Sequence, residues 1–339
     1  MLTEKDYDKI RAELDSCKRP MFFFDDDPDG LCSFLLFYRY VKEGKGVVVK
    51  SSPELKPMFL RTVENYGPDK IFILDKPMVS SDFIEKIDVP IIWVDHHEIK
   101  ENTGTKYFNS RDNGFGEPTS CICYRVVKQD LWIAMCGAVG DWYLPDFKKE
   151  FSEKYPDLLT SKIKKPEKAL YETKIGDIIR ILSFILKGKT SEVMKCVKIL
   201  TRIKDPYELL EGKTPQSNYV LKRYKSLDEE YKQLLNDALK YDEKSKILLF
   251  TYSNKISFTG DLSNELLYRF PKKLIIVARE KDGEMKCSLR SSDKISVSKI
   301  VEKALAGIEG YGGGHEHACG ACIKKQDFNK FVENIKKEI

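Results

Sequence analysis

The stretch PMFFFDDDPDG, residues 20–30, carries most of the information about the fold of this 339-residue chain. A continuous apolar run ends in carboxylates, and after Gly30 the apolar residues resume at helical spacing in LCSFLLFYRYVK. A strand that is apolar on both faces is expected where helices cover both sides of a parallel sheet. The stretch therefore predicts a buried strand, a tight glycine turn and a helix whose N-terminus favours anions.

Further apolar runs repeat this pattern over the first 145 residues, in GVVVK (46–50), KIFILD (70–75) and PIIWVD (90–95). Their alternation with helical stretches predicts an α/β domain with a mostly parallel sheet flanked by helices. Three of the four runs end in an acidic residue, Asp25, Asp75 or Asp95. Because ligands of such sheets bind beyond the carboxyl ends of the strands, we expect these carboxylates along one rim.

The rest of the chain divides into two parts of different composition. Residues 147–245 are rich in Lys and Glu, have helical periodicity and contain no strand-like run, which predicts a helical connector. Strand patterns return in KILLFTY, KLIIVARE, MKCSLRSS and HACGACI, with a helix near 296–306 and a Gly-rich turn at 310–314. We therefore expect an N-terminal domain at 1–146, the connector at 147–245 and a smaller C-terminal α/β domain at 246–339.

Composition sets broad limits on the function. A net charge of +5 permits a nucleic-acid groove without requiring one. No run of eighteen apolar residues exists, and the charged N-terminus does not resemble a signal peptide, so we expect a cytoplasmic protein with no membrane span. The nine cysteines lie mostly in apolar runs and are expected to be reduced core residues.

The four histidines fall into two tight clusters, which favours a chemical role over a packing role. His96 and His97 follow Asp95, whereas His315 and His317 lie in YGGGHEHACGA. Carboxylates and imidazoles gathered at strand ends are typical of a metal site, and such sites suit phosphate-ester hydrolysis.

The spacing of the aspartates supports a metal site in the first domain. Asp25, Asp27 and Asp29 follow one another at intervals of two, so in a strand that runs into a loop they can face the same side. Asp75 stands alone at its strand end and could bridge two ions with its two oxygens. The imidazole nitrogen of His96 favours a transition metal over Mg²⁺.

Taken together, DDDPDG, FILD, VDHH and GDW, followed by GGGHEHACGA, resemble the DHH phosphoesterase superfamily. More narrowly, they are similar to the RecJ-like, archaeal-type branch with a DHHA1 domain. The first motif has the RecJ form, Asp25-x-Asp27-x-Asp29-Gly30. The oligoribonuclease and family II pyrophosphatase branches usually carry a histidine at the position that Phe23 occupies here.

The resemblance implies two bound divalent cations. Mn²⁺ is the expected ion, and Mg²⁺ and Co²⁺ are the alternatives. One ion would be held by Asp25, Asp27 and Asp75. The second would be held by Asp29, Asp75, His96 and Asp141, with Asp75 shared between the two. Asp95 would orient the histidines, and His97 would face the scissile phosphate.

The resemblance also assigns the C-terminal motif to substrate binding. The expected residues are Arg290, Gly312, Gly313, Gly314 and His315. Bare backbone N–H groups of glycines can cradle phosphates, and an arginine suits phosphate oxygens. A rival interpretation is a zinc site formed by His315, His317, Cys319 and Cys322. The family pattern Gly-Gly-Gly-His-x-x-Ala-x-Gly-Ala favours substrate binding over zinc.

The sequence therefore predicts a two-metal, Mn-dependent phosphodiesterase that acts as a single-strand-specific exonuclease on DNA or RNA. An alternative within the enzymes is a phosphodiesterase of short oligonucleotides or of cyclic or linear dinucleotides. An alternative of another class is a replisome scaffold protein derived from RecJ, which would have replication or repair proteins as partners. The complete set of aspartates and histidines argues against a scaffold without catalysis.

Overall fold

The computed structural model describes residues 2–50, 53–98, 104–111, 116–240, 245–292 and 295–339. The chain divides into two compact units, the first ending at Tyr224 and the second beginning at Lys225. Each unit contains its own five-stranded sheet.

The first unit is built on a sheet of five strands, β1 (Pro20–Asp25), β2 (Lys45–Val49), β4 (Lys70–Leu74), β6 (Ile91–Asp95) and β7 (Lys106–Asn109). All of them are parallel, and their order in the sheet is β2-β1-β4-β6-β7. A separate two-stranded parallel sheet pairs β3 (Glu54–Leu55) with β5 (Met78–Val79). The predicted mostly parallel sheet is confirmed, and its carboxyl-end rim carries Asp25, Asp75 and Asp95.

Helices cover both faces of this sheet. In the described part of the first unit they are α1 (Glu4–Asp15), α2 (Pro28–Val41), α3 (Leu60–Tyr66), α4 (Ser81–Ile84), α5 (Thr119–Val127), α6 (Leu131–Gly140), α7 (Lys148–Lys154), α8 (Pro166–Glu172), α9 (Lys174–Ile185), α10 (Thr190–Leu200) and α11 (Pro206–Glu211). Helix α12 (Pro215–Ala238) runs on into the second unit, and a 3₁₀ turn, Pro57–Phe59, precedes α3.

Alternate residues of the strands enter two different cores, as the pleat requires. Phe22 and Phe24 of β1 pack with helices α2, α5 and α6 on one face of the sheet. Phe23 packs on the other face with Val63 of α3 and Phe83 of α4. This double coverage explains why β1 is apolar at successive positions.

Helices α7 to α11 occupy much of the stretch predicted to be a connector. Their apolar residues, among them Phe151, Ile178, Val193 and Leu209, belong to the same core as β1. In the structure these helices are therefore packed on the first unit. The division into domains at residues 146 and 245 stays a proposal about function.

The second unit has a smaller sheet in the order β11-β12-β10-β9-β8, with β8 parallel to β9 and the other neighbours antiparallel. Its strands are β8 (Ile247–Tyr252), β9 (Leu274–Lys281), β10 (Glu284–Arg290), β11 (Gly310–His315) and β12 (Ala318–Lys324). Its helices are α13 (Thr259–Arg269), α14 (Val297–Ala304) and α15 (Phe328–Lys337), the last preceded by a 3₁₀ turn, Lys325–Asp327. The predicted smaller α/β domain is confirmed.

One local prediction in this unit is wrong. Residues 310–314 do not form a turn but belong to β11, an edge strand that pairs with β12. Four glycines in five residues indicate a turn when composition alone is considered. Pairing with β12 supplies the backbone hydrogen bonds that override this local preference.

All nine cysteines are free thiols, and eight of them are buried, as the sequence predicts. Among the residues that the structure describes, no helix combines the length and apolar character needed to span a membrane.

Candidate metal centre

The first group of carboxylates lies where β1 passes into α2. Asp25, Asp27 and Asp75 place one oxygen each within 4.8 Å of one another, close enough to share a cation. Asp27 caps α2, and its Oδ1 accepts a hydrogen bond from the Gly30 N–H at 2.9 Å. A Cβ at Gly30 would lie 2.6 Å from the nitrogen of Asp25 and 2.7 Å from its carbonyl oxygen. Glycine is therefore required for α2 to begin so close to the end of β1.

Asp75 connects this group to the histidines. It follows β4 with a left-handed backbone, at a φ of 59°, and is buried. A non-glycine residue rarely adopts this conformation, and such strain is concentrated at functional sites. Its Oδ1 lies 3.3 Å from Nε2 of His96 and accepts a hydrogen bond from the Thr119 hydroxyl at 3.3 Å. Asp75 is thus placed between the two predicted ligand sets.

The second group contains Asp29, His96 and Asp141, which could also hold a cation. Nε2 of His96 lies 3.7 Å from Oδ2 of Asp141 and 4.0 Å from Oδ2 of Asp29. Asp141 stands at the end of α6. The structure thus brings together all six residues that the sequence predicts as metal ligands.

Asp29 is held by the start of α5. Its carboxylate accepts hydrogen bonds from the N–H groups of Thr119 at 2.8 Å and Ser120 at 3.0 Å, and from the Ser120 hydroxyl. The N-terminus of a helix stabilises a negative charge in this way. Sequence reasoning missed Thr119 and Ser120, although Pro-Thr-Ser before an apolar run is a recognisable helix-start pattern.

Asp95 fixes the orientation of His97. The Asp95 carboxylate is fully buried, and its Oδ1 lies 2.8 Å from Nδ1 of His97. Its Oδ2 accepts a hydrogen bond from the His97 backbone N–H at 3.1 Å. Asn109, on the unpredicted strand β7, donates to the His97 carbonyl oxygen at 3.0 Å. A carboxylate partner places the proton on Nδ1, so Nε2 of His97 is the nitrogen left for a ligand.

A third possible group, Asp75, His96 and His97, also has ligand atoms within 4.8 Å of one another. The two imidazole rings have their centroids 4.6 Å apart. His97 thus lies where it could hold a cation together with Asp75 and His96.

Crowded negative charge dominates the electrostatics of the centre. Burial, aided by the neighbouring Asp75 charge, raises the pKa of Asp29 to about 8. Burial also raises the pKa of Asp141 to about 6. Asp75 behaves differently, because hydrogen bonding and charge from His96 outweigh its burial and lower its pKa to about 2. Burial opposes the charge on His96, but Asp75 and Asp141 raise its pKa to about 11.

These shifts have a common physical cause. The centre holds more carboxylates than its own cations can neutralise, so burial and the neighbouring charges raise the pKa of Asp29 and of Asp141, and the carboxylates around His96 raise its pKa. A divalent cation would supply the positive charge that balances these carboxylates. The mixture of carboxylate oxygens and an imidazole nitrogen fits Mn²⁺ and comparable ions. Lys76, which sequence reasoning also missed, adds a positive charge beside Asp25.

The candidate substrate-binding residues lie in the second unit, on one face of its sheet. Ala318 of β12 is paired with Arg290 on one side and with His315 on the other. Directly paired residues point to the same face, so Arg290 and His315 share that face about 10 Å apart. Arg290 is half-buried and donates from Nε to Oδ1 of Asn264 at 2.7 Å, whereas His315 is exposed.

The three predicted glycines differ in what requires them. A Cβ at Gly314, where φ is 146°, would lie 2.4 Å from the carbonyl oxygen of Ala318. A Cβ at Gly312 would lie 2.9 Å from the Cβ of Ala321. A Cβ at Gly313 would meet no atom within 4 Å. Packing therefore accounts for Gly314 and Gly312, whereas nothing in the fold requires a glycine at position 313.

The described residues do not form the rival zinc site. Cys319 points into the core beneath β12, whereas Cys322, an odd number of positions away, points to the opposite face. His317 instead lies with Nδ1 3.2 Å from the carbonyl oxygen of Ile295. The four side chains therefore have no common point at which to bind an ion.

Comparisons with known proteins agree with this arrangement. A family model described as the DHH family, N-terminal domain, matches residues 21–161, and the DHHA1 domain model matches residues 236–339. Comparison with curated protein sequences gives no match.

Several solved structures share the fold at low sequence identity. RecJ of Thermus thermophilus, in complex with Mn²⁺, has a TM-score of 0.73 and 14% identity, and the match covers 99% of this chain and 55% of RecJ. An exonuclease RecJ bound to manganese has a TM-score of 0.67 and 13% identity, over 99% of this chain and 95% of that one. PggH of Vibrio cholerae, a pGpG-specific phosphodiesterase, has a TM-score of 0.51 and 11% identity, over 94% and 98%. At such identities the likeness shows the fold.

Proposed function

Because this chain belongs to the DHH superfamily and carries a DHHA1 domain, we propose that it is a two-metal, Mn²⁺-dependent phosphodiesterase of the RecJ-like branch. Its substrate would be single-stranded DNA or RNA, degraded from an end. The observation that carries the proposal is the convergence at one sheet rim of the six predicted ligands, Asp25, Asp27, Asp29, Asp75, His96 and Asp141.

The ligand sets follow from the two groups on either side of Asp75. Asp25 and Asp27 would hold one cation together with Asp75, and Asp29, His96 and Asp141 would hold the other with the same Asp75. Bound divalent cations supply positive charge that polarises a phosphoryl group and lowers the pKa of water.

The chain's own residues would orient the phosphate. Burial lowers the pKa of His97, but its hydrogen bond to Asp95 and the charge of Asp75 raise it, so the ring can carry a proton on both nitrogens. Because Nδ1 is already engaged by Asp95 at 2.8 Å, His97 is proposed to donate from Nε2 to a phosphate oxygen in this protonated form. A donor held in advance by a buried carboxylate needs little reorganisation when charge develops on the phosphate. Asp95 therefore acts through His97 as a positioning residue.

Substrate binding is proposed for the second unit. Arg290 and His315 share one face of the sheet, and Gly312, Gly313 and Gly314 form the adjacent edge strand. An arginine, an imidazole and exposed backbone N–H groups suit a phosphodiester chain with its bases. A cytoplasmic location, with replication or repair proteins as partners, belongs to the same proposal.

Hydrolysis of short oligonucleotides or of cyclic or linear dinucleotides is the alternative. It is favoured by one observation, the fold shared with the pGpG-specific phosphodiesterase over nearly the whole of both chains. A RecJ-derived scaffold protein without catalysis is the alternative outside enzymes.

One experiment separates the three. End-labelled DNA and RNA single strands of about 3 to 30 nucleotides, which bracket the usual site sizes, are incubated with Mn²⁺, with Mg²⁺ or with EDTA and resolved by length. A ladder that shortens from one end supports the exonuclease. Consumption of only the shortest strands supports the alternative enzyme. A protein that binds Mn²⁺ and hydrolyses neither these strands nor linear or cyclic dinucleotides supports the scaffold protein, and full activity in EDTA contradicts the metal mechanism.

A further inference from the structure

A buried lysine lies at the first group of carboxylates. The side chain of Lys76, the residue after Asp75, is 0% exposed, and its Nζ lies 2.8 Å from Oδ1 of Asp25. Lysine is almost never fully buried unless it is paired, because removing its charge from water is costly. The ion pair with Asp25 gives the buried charge of Lys76 such a partner.

The backbone directs Lys76 towards the end of β1. The N–H of Asp75 donates to the carbonyl oxygen of Val94 at 3.0 Å, and Asp75 turns the chain with its left-handed conformation. The carbonyl oxygen of Lys76 accepts a hydrogen bond from Nε1 of Trp93 at 2.9 Å. These hydrogen bonds to β6 fix the backbone of Lys76, and its ammonium group reaches Asp25 at the end of β1.

Lys76 contacts one oxygen of Asp25 and leaves the other available. In the part of the chain that the structure describes, both hydrogen bonds of the Asp25 carboxylate are made at Oδ1, from Lys76 and from the Asp26 N–H at 2.9 Å. Oδ2 is therefore the oxygen that can turn to a cation shared with Asp27 and Asp75.

We propose that Lys76 is a built-in counter-ion for Asp25, Asp27 and Asp75, which keeps this group assembled without metal and lowers its affinity for a divalent cation. The inference rests on the metal centre of the proposed function. Three ionised carboxylates repel one another in a buried site, and a fixed positive charge beside them reduces that repulsion. The same charge competes with an incoming cation for Asp25.

The consequence is a specific change in how stability depends on metal. Without Lys76, the metal-free protein retains three crowded carboxylates and loses stability. A cation then restores more stability to the variant than to the native protein, because a ligand stabilises a fold according to its affinity. Lys76→Met should therefore bind Mn²⁺ more tightly, by about tenfold, because the cation no longer faces a fixed positive charge beside Asp25.

The test compares native protein with Lys76→Met, Lys76→Gln and Lys76→Arg, measuring Mn²⁺ affinity by isothermal titration calorimetry and melting temperature with and without Mn²⁺. Lys70→Met is the matched control, because Lys70 begins β4, the strand that Asp75 and Lys76 follow, and pairs with Glu13 at 2.7 Å, away from the metal centre. We expect Lys76→Met and Lys76→Gln to melt lower only without Mn²⁺ and to bind it more tightly. Lys76→Arg, which keeps the charge, should resemble the native protein, and Lys70→Met should lose stability equally in both conditions.

Other outcomes overturn the inference. Equal destabilisation of Lys76→Met with and without Mn²⁺ would make Lys76 a purely structural residue, and weaker Mn²⁺ binding would give its charge the opposite role. If Lys76→Met does not fold in either condition, Lys76→Gln decides by the same criteria, and its failure to fold with Mn²⁺ also counts against the inference. Native protein that binds no Mn²⁺ would instead refute the proposed metal centre.

Discussion

The two units present their candidate functional residues in opposite ways. In the first unit, Asp29, Asp75 and Asp95 are buried, and each is held by hydrogen bonds from neighbouring strands or helices. In the second unit, Gly313 and His315 lie exposed on an edge strand. The first arrangement is held in place by the protein's own hydrogen bonds, whereas the second is open to solvent.

This difference separates two kinds of mutational effect. Buried like charges destabilise a fold unless cations balance them, so changes in the first unit should alter metal binding and stability together. Changes at exposed positions of β11 that pack against no other protein atom, such as Gly313, should alter substrate binding alone. Substitutions in both units therefore test whether the first unit carries metal binding and catalysis and the second carries substrate binding.

The largest effect is expected for Asp75, which lies next to both ligand groups. Asp75→Asn is the appropriate variant, because asparagine tolerates the left-handed backbone at this position. Loss of the shared carboxylate should reduce hydrolysis of bis-p-nitrophenyl phosphate by at least about 10³-fold. Elemental analysis should find less than half of the native Mn²⁺ content. Native metal content with native activity would remove Asp75 from the mechanism.

His97 should give the next largest effect, without loss of metal. His97→Ala is expected to reduce turnover by about 10²-fold, because a positioned donor at the phosphate is removed. Mn²⁺ content and melting temperature should stay close to the native values. A fall in metal content as large as that of Asp75→Asn would instead make His97 a metal ligand, which the third group of Asp75, His96 and His97 allows.

Much of the metal centre could be predicted from the sequence, because strand ends are visible as apolar runs that stop at an acidic residue. Asp25, Asp75 and Asp95 needed only the rule that parallel strands present their carboxyl ends at one rim. The residues that hold these ligands could not be predicted. Thr119 and Ser120 reach Asp29 across 90 positions or more of sequence, and no local pattern encodes that contact.

Lys76 and β11 show two further limits. A lysine next to an aspartate is usually solvated, and only the turn after β4 reveals that this one is buried. Gly310 to Gly314 have the composition of a turn, and only the partner strand β12 makes them a strand. In both places contacts with residues distant in sequence override what the local sequence favours, which is a solvated lysine in one case and a turn in the other.

A smaller and more selective effect is expected in the second unit. His315→Ala and Arg290→Ala should raise KM for oligonucleotides by about 10- to 100-fold, the range for losing one stacking or phosphate contact. Hydrolysis of bis-p-nitrophenyl phosphate should barely change, because this ester is too small to reach remote binding residues. Asn264→Ala controls for the hydrogen bond that holds Arg290. Equal losses on both substrates, or a large drop in melting temperature, would contradict the division between the units.

The smallest and most informative effect is expected from Gly313. A strand interior usually avoids glycine, and a glycine there often marks a place where a ligand or another backbone comes close. At Gly313 no protein atom lies within 4 Å of a Cβ, so the fold itself tolerates alanine. Gly313→Ala should keep or slightly raise the melting temperature, since a strain-free Gly-to-Ala change stabilises by roughly 0.4–1 kcal/mol.

Gly312→Ala is the matched comparison, because its Cβ would lie 2.9 Å from that of Ala321 and should lower the melting temperature. If a phosphodiester chain runs along β11, the methyl group of Gly313→Ala should raise KM for oligonucleotides severalfold in a protein of native stability. Steady-state kinetics on oligonucleotides and on the small ester, together with thermal melts, distinguish the cases. An unchanged KM would mean that the substrate does not approach β11 closely, and β11 would then have no role in substrate binding. A raised KM at native stability would mean that Gly313 is needed for substrate binding, whereas Gly312 is needed for packing against β12.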